Sequence, residues 1–108
     1  MASTPTFLAL EPISINQCVC ISSTPGLVAR ATEGKVVLGV AASSVNTGEP
    51  MVFQDGPSYQ VIAEGTITSG DLLVPGTTPG SLTKSVSGGQ FIAIESDISG
   101  NVFNAYRA

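Results

Sequence analysis

From Val36 to Val74 the chain reads VVLGVAASSVNTGEPMVFQDGPSYQVIAEGTITSGDLLV, a series of short β-branched and aliphatic runs, each stopped after a few residues by a glycine turn. Runs this brief, bounded by Gly, Pro, Asn and Asp, fit strands and leave no window for a helix of three turns. Turns recur about every eight to twelve residues, the spacing of a sandwich or barrel. The sequence therefore predicts an all-β protein, a small single-domain β-barrel or β-sandwich. At 108 residues it is long enough to bury roughly 65% of the surface its unfolded chain exposes.

Pro5 and Pro12 surround Phe7, Leu8 and Leu10, which excludes a helix and predicts an extended N-terminal arm over residues 1–12, with 13–108 as the barrel-like body. Such an arm either packs on its own barrel or reaches a neighbour. Ile13, Ile15, Gln17, Val19 and Ile21 alternate with Ser14, Asn16, Cys18, Cys20 and Ser22, predicting one continuous strand. Residues 27–32 are extended or a single helical turn, and 35–41 a buried strand whose Gly39 marks a bulge or a close backbone approach. A hairpin loop is expected at Asp55–Ser58, strands at 59–63, 72–74, 81–86, 91–94 and 102–107, and an exposed loop at Pro75–Gly80. The Thr-Pro-Gly sequences at Thr24 and Thr78 read as recurring turn chemistry and not as a structural repeat.

Composition narrows the chemistry. Only 11% of residues are charged, against about 25% in ordinary domains, and serine, threonine and glycine take their place. Surfaces of this kind resemble the sparsely charged patches that proteins press together, so an oligomer or a component of a larger assembly is expected. The net charge is −4, and the four basic residues, Arg30, Lys35, Lys84 and Arg107, lie far apart. Nucleic acid, whose backbone calls for clustered cations, is an unexpected partner, as is an anionic membrane. No apolar run approaches the ~20 residues of a spanning helix. The first residues also lack the basic leader and apolar stretch of a secretory signal, so no Sec export is expected.

Histidine is absent and there are two cysteines, so a group titrating near neutrality would have to be a perturbed carboxylate, a desolvated lysine or a thiolate. Glu49, Asp55, Glu64 and Asp71 sit in central turns; a carboxylate pair is conceivable, but a glycosidase cleft also needs aromatic platforms and the chain has no tryptophan. Acidic side chains in glycine turns cap backbone amides, which is the preferred reading. Cys18 and Cys20, two apart on one strand, point to the same face, suit a disulfide poorly and read as small buried apolar groups. They cannot close a metal site unaided. Lys84 in SLTKSV is placed like the modified lysine of lipoyl and biotinyl carriers, but threonine and serine flank it, and a plain surface lysine is preferred. No phosphate-binding or nucleophile-elbow motif occurs. Neither an enzyme nor a cofactor is expected.

The order KVVLGVAASSVNTGEPMVF, hairpin, YQVIAEGTITSGDLLV, PGSLTKSV, FIAIES and NVFNAYR resembles the small capsid decoration, or cement, proteins of tailed bacteriophages. The likeness runs from about Val36 to Arg107 and is most specific at Gly39-Val40-Ala41, Gly48-Glu49 and Ala63–Leu73, where Gly65, Ile67, Gly70, Asp71 and Leu73 fit the pattern. It departs at Phe91–Ile94, where the family often has a glycine-alanine pair. The resemblance implies a non-enzymatic, trimeric virion protein, made in the host bacterial cytoplasm. It would bind the outer face of the head at junctions between major capsid subunits and stabilise it against internal DNA pressure. Phe7, Leu8 and Leu10, the largest apolar group outside the strand pattern, are the expected intersubunit or capsid contacts, and removal of residues 1–10 is expected to leave the monomer folded. Gly48, Gly56, Gly65, Gly70 and Asp71 are assigned to structural turns. The alternative is a β-structured fibre, tail or adhesion module that binds a host surface or glycan.

Overall fold

The computed structural model describes residues 7–108. It is all-β, with nine strands and no helix among the described residues: β1 (Leu8–Ala9), β2 (Cys18–Ile21), β3 (Leu27–Arg30), β4 (Gly39–Val40), β5 (Ser58–Ala63), β6 (Leu72–Pro75), β7 (Ser81–Lys84), β8 (Phe91–Ala93) and β9 (Val102–Arg107). The first four form a curled sheet in the order β1-β3-β2-β4, and the last five close a barrel in the order β5-β7-β6-β8-β9. In the first sheet the segment after β4 serves in place of a fifth strand. Leu8 bridges Pro50, and Ala41 bridges Phe53, so residues 49–54 run between the two sheet edges as β9 runs between β5 and β8.

The two halves are one motif built twice. The parallel pairs Leu8↔Leu27 and Ala9↔Val28 reappear as Ile62↔Ser81 and Ala63↔Leu82, each residue 54 positions later. Val19↔Gly39 reappears as Leu73↔Phe91; the offset drops to 52 because two residues between Gly34 and Leu38 have no counterpart between Gly88 and Gln90. The bridge Ile13↔Val45 returns as Ile67↔Asp97. Side chains repeat too: Gln17 accepts from the Ser14 N–H as Asp71 accepts from Thr68, and the Ser44 and Ser96 hydroxyls accept from Ile15 and Ser69. The Thr-Pro-Gly turns end in left-handed glycines at the same place, Gly26 (φ 81°) and Gly80 (φ 85°). The reading that denied a repeat is thus corrected. Identical residues are few and fall mostly in turns, apart from the buried pairs Ala9/Ala63, Ile13/Ile67 and Ala41/Ala93, while other core positions change size.

One such position shows how. β8 supplies Phe91 to the barrel core and pairs Ala93 with Ala105; the first half has Gly39 where Phe91 stands and pairs Ala41 with Phe53. The ring of Phe53 fills the room that glycine leaves, so close that a Cβ on Gly39 would lie 2.6 Å from its Cδ1. The close approach expected at Gly39 is therefore an aromatic ring, and one aromatic occupies this core layer in each half from opposite strands.

Three expected elements differ. The strand drawn through residues 13–22 is two pieces. Ser14–Gln17 is a turn with Asn16 at φ 73°, where Gly70 stands at φ 93° in the second half; after it Cys18 and Val19 are both buried, and Ile15 and Ile21 point to solvent. Period-two alternation survived a turn only by coincidence of residue type. Asp55–Ser58 is no hairpin: it links the halves, and Ser58 pairs with Tyr106. The Pro75–Gly80 loop is fastened down, with Gly76 and Gly80 buried, because Glu64 accepts from the N–H groups of Thr77 and Thr78.

Of the segment expected as an arm, residues 7–12 are described, and they take the first of the two alternatives. β1 lies beside β3, Ala9 is buried, and Phe7 meets Phe53 edge to face at 6.3 Å. Deleting residues 1–10 would remove this strand, so the truncated chain should melt well below the full one, contrary to the expectation from sequence; unaltered melting would show the first sheet closes without β1. Gly70→Val should cost more than ~1 kcal/mol in urea denaturation, since φ of +93° strains a β-branched residue even in open space.

Candidate functional site

The contact between the halves decides which surfaces stay open. β2 turns Val19 into the core of its own half and Cys18 and Cys20 the other way, against the second half. The Cys18 N–H donates to the Gly80 carbonyl (2.9 Å) and the Gly80 N–H to the Ala31 carbonyl (2.8 Å). The Gln90 side chain accepts from the Val37 N–H and donates to the Lys35 carbonyl. Arg107 donates to the carbonyls of Val37 and Leu38 and lays its guanidinium 4.9 Å from the centroid of the Phe91 ring. The side of the first half is thus covered by one end of the second.

Two exposed apolar groups lie beside this contact and on the barrel face. On the barrel, Leu72, Ile92 and Tyr106 are directly opposite one another on β6, β8 and β9; Leu72 and Tyr106 are exposed, Ile92 is half-buried, and Ile94 continues the face along β8. On the first half, Cys20, Ile21, Lys35, Val36, Val37 and Leu38 line a hollow of about 290 Å³. A third, polar cleft of about 330 Å³ lies between the halves, lined by residues that include Asn16, Gln54, Asp55, Gln60 and Asn104. There Gln54 donates to Asn16, Ala41 and Gln60 and accepts from the Gln60 N–H. Asp55 is the one ionisable residue among the described residues of that lining, and the Asn104 amide donates to Glu95.

The residues singled out from sequence scatter over this body. Phe7 is a half-buried part of the first core, while Leu8 and Leu10 are exposed, so the trio is no single patch. Gly48, Gly56, Gly65 and Gly70 all have positive φ, and Asp71 caps Thr68. Glu49 accepts from the Asn46 N–H. Cys18 and Cys20 are free and buried; burial pushes the Cys18 thiol up to about 12 and raises that of Cys20, which makes both poor nucleophiles. Lys84 is exposed at the end of β7 opposite Leu73. No group of three or more His, Cys, Asp or Glu able to hold a metal occurs among the described residues. The row Leu72–Ile92–Tyr106 was missed because its members fall on three strands, and the hollow because it joins the end of β2 to the loop at residues 35–38; alternation along β8 and β9 was the local signal for the row.

No family model matches the chain, and no curated protein matches it in sequence. Its fold has a counterpart. The N base of the head fiber gp8.5 of bacteriophage phi29 superposes with a TM-score of 0.81 at 22% identity, over 95% of this chain and 91% of that one. The two share the fold across both halves of this chain.

Glu64 ties the loop that carries Gly80 to the barrel. Burial tends to raise its pKa, but the hydrogen bonds from Thr78 and Thr77 outweigh it and hold the carboxyl below its ordinary value of 4.5. Its stabilisation is therefore present above that value and lost as pH falls through the lower, folded one. Glu64→Gln should cost about 1 kcal/mol at neutral pH, and the gap to the native protein should narrow with acidification in thermal melts; a gap independent of pH would show that the charge plays no part.

Proposed function

We propose that the protein is a non-enzymatic structural component of a phage virion, a decoration or cement protein on the outer face of the head. There it binds major capsid subunits at their junctions, as a homo-oligomer, in the first instance a trimer. The observation that carries this is the fold match along nearly the whole of both chains to the base of a phage head fiber. The surface supports it: the exposed side chains grouped on β6, β8 and β9 are apolar, and only 11% of the chain is charged, so closing a contact desolvates few ions. An oligomer presents several copies of one patch, and weak contacts to a symmetric shell then add through high effective concentration. Stapled neighbours resist outward pressure without any reaction.

The match is to a fiber base, which favours one second reading: a β-structured fibre or adhesion module that contacts a host surface or glycan. The two separate by partner. Purified protein mixed with phage heads lacking it should co-sediment with them to saturation, and those heads should survive heating longer. Binding to host cells or glycans with no affinity for heads would select the second reading. Because the contact is nearly uncharged, head binding should change little between about 0.05 and 0.5 M salt; a steep loss would point to an ionic contact instead.

A further inference from the structure

The duplication leaves the contact between the halves half used. In the first half the row Cys18–Val40–Gln54, joined by the Cys18↔Val40 pair and the Gln54 N–H to the Val40 carbonyl, lies against the second half: the Cys18 N–H donates to the Gly80 carbonyl and Gln54 exchanges hydrogen bonds with Gln60, beside the bonds of Gln90 and Arg107 to residues 35–38. The matching row of the second half is Leu72–Ile92–Tyr106, left open by the described residues. Cys18 and Val40 are 0% exposed, Leu72 36% and Tyr106 43%. The covering end has its own match, exposed at Ile21, Gly26 and Val36. Ile21 pairs with Val28 as Pro75 pairs with Leu82, and the Leu38 N–H donates to Val19 as that of Gln90 does to Leu73. Gly80 is buried in the contact while its counterpart Gly26 is exposed. Ile21 is 58% and Val36 77% exposed, beside the 290 Å³ hollow.

We propose that a second copy of this chain seats its Ile21–Val36–Leu38 end on the open Leu72–Ile92–Tyr106 face, repeating between chains the contact that joins the halves within one. Each chain carries one surface of each kind, so the contact is head to tail. Such a contact closes into a ring when each step turns by a whole fraction of a circle, three copies for a third of a turn. Both surfaces are apolar: Lys35 is the one charged side chain lining the hollow, and the row has none. A self-partner already shaped for the equivalent face satisfies both at once and leaves no orphan end. This pairing rests on the self-association in the proposed function and adds to it the two faces and their order.

The test uses Leu72→Asp and Val36→Asp in the full chain, with far-UV spectra and melting to confirm folding, and sedimentation as the readout; Tyr106→Asp and Ile21→Asp serve if either first variant fails to fold. The native protein should sediment as a discrete oligomer. Each variant alone should need at least about tenfold more protein to associate. An equimolar mixture of the two should form heterodimers, because each supplies the face that the other lacks. Variants that associate like the native protein, a mixture that stays monomeric, or a native chain that is itself monomeric would each overturn the pairing. Head co-sedimentation reads the function separately: an oligomer that ignores heads removes the proposed function and leaves the pairing, and a monomer that coats heads does the reverse.

Discussion

A β-motif of about fifty residues buries too little surface to be secure alone, since the buried fraction falls with size and domains near sixty residues are already marginal. Here two such motifs share a core, and the junction is a backbone contact. The turn ending at Gly80 lies against β2, with the Gly80 carbonyl accepting from Cys18 and its N–H donating to Ala31. A Cβ on Gly80 would lie 2.7 Å from that of Gln17, so the residue at this point must be small as well as left-handed. Around the contact, Gln90 and Arg107 satisfy the Val37 N–H and the carbonyls of Lys35, Val37 and Leu38. Apolar burial by Cys18, Cys20, Ala31, Val37 and Val40 against the barrel then joins the two cores.

The same junction explains how the surface is divided. A motif with one apolar side and one apolar end can be stacked on a copy of itself, and each stacking step hides one side and one end. In a chain of two motifs one of each remains. Leu72, Ile94 and Tyr106 are exposed at one of those two places and Ile21 and Val36 at the other, while the counterparts of Leu72 and Ile92 in the hidden contact are the buried Cys18 and Val40. Under the proposed function, faces that arise from the fold itself would serve in place of a separate binding loop. The small number of charges is consistent with that, because ions at such faces would have to be desolvated or paired.

Much of this was legible in the residues. The glycine punctuation predicted an all-β body, most strands of the second half lie where expected, and Cys18 and Cys20 share a buried face as their spacing requires. Gly39 was marked as a close approach, and Phe53 is what approaches. The failures have physical reasons. Ile13 to Ile21 alternates correctly for a strand, yet Asn16 adopts the left-handed conformation that asparagine tolerates better than most residues, and a turn interrupts the run. The repeat escaped notice because turn residues, which conserve backbone conformation, recur as short and common sequences such as Thr-Pro-Gly, whereas core residues trade volume between strands and so conceal their equivalence.

Sequence alone determined the fold class, the shortness of the strands, the positions of most turns and the poverty of titratable chemistry, since each follows from local dihedral preference or from which side chains exist at all. Tertiary structure decided the duplication, the closing of the first sheet by residues 7–12 and 49–54, and the membership of the exposed faces. Leu72, Ile92 and Tyr106 become one surface only through strand pairing, and strand pairing is a long-range choice made by burial of the other side of each strand. Local sequence contains the alternation; only the assembled barrel says which alternate residues stand side by side and which of them remain uncovered.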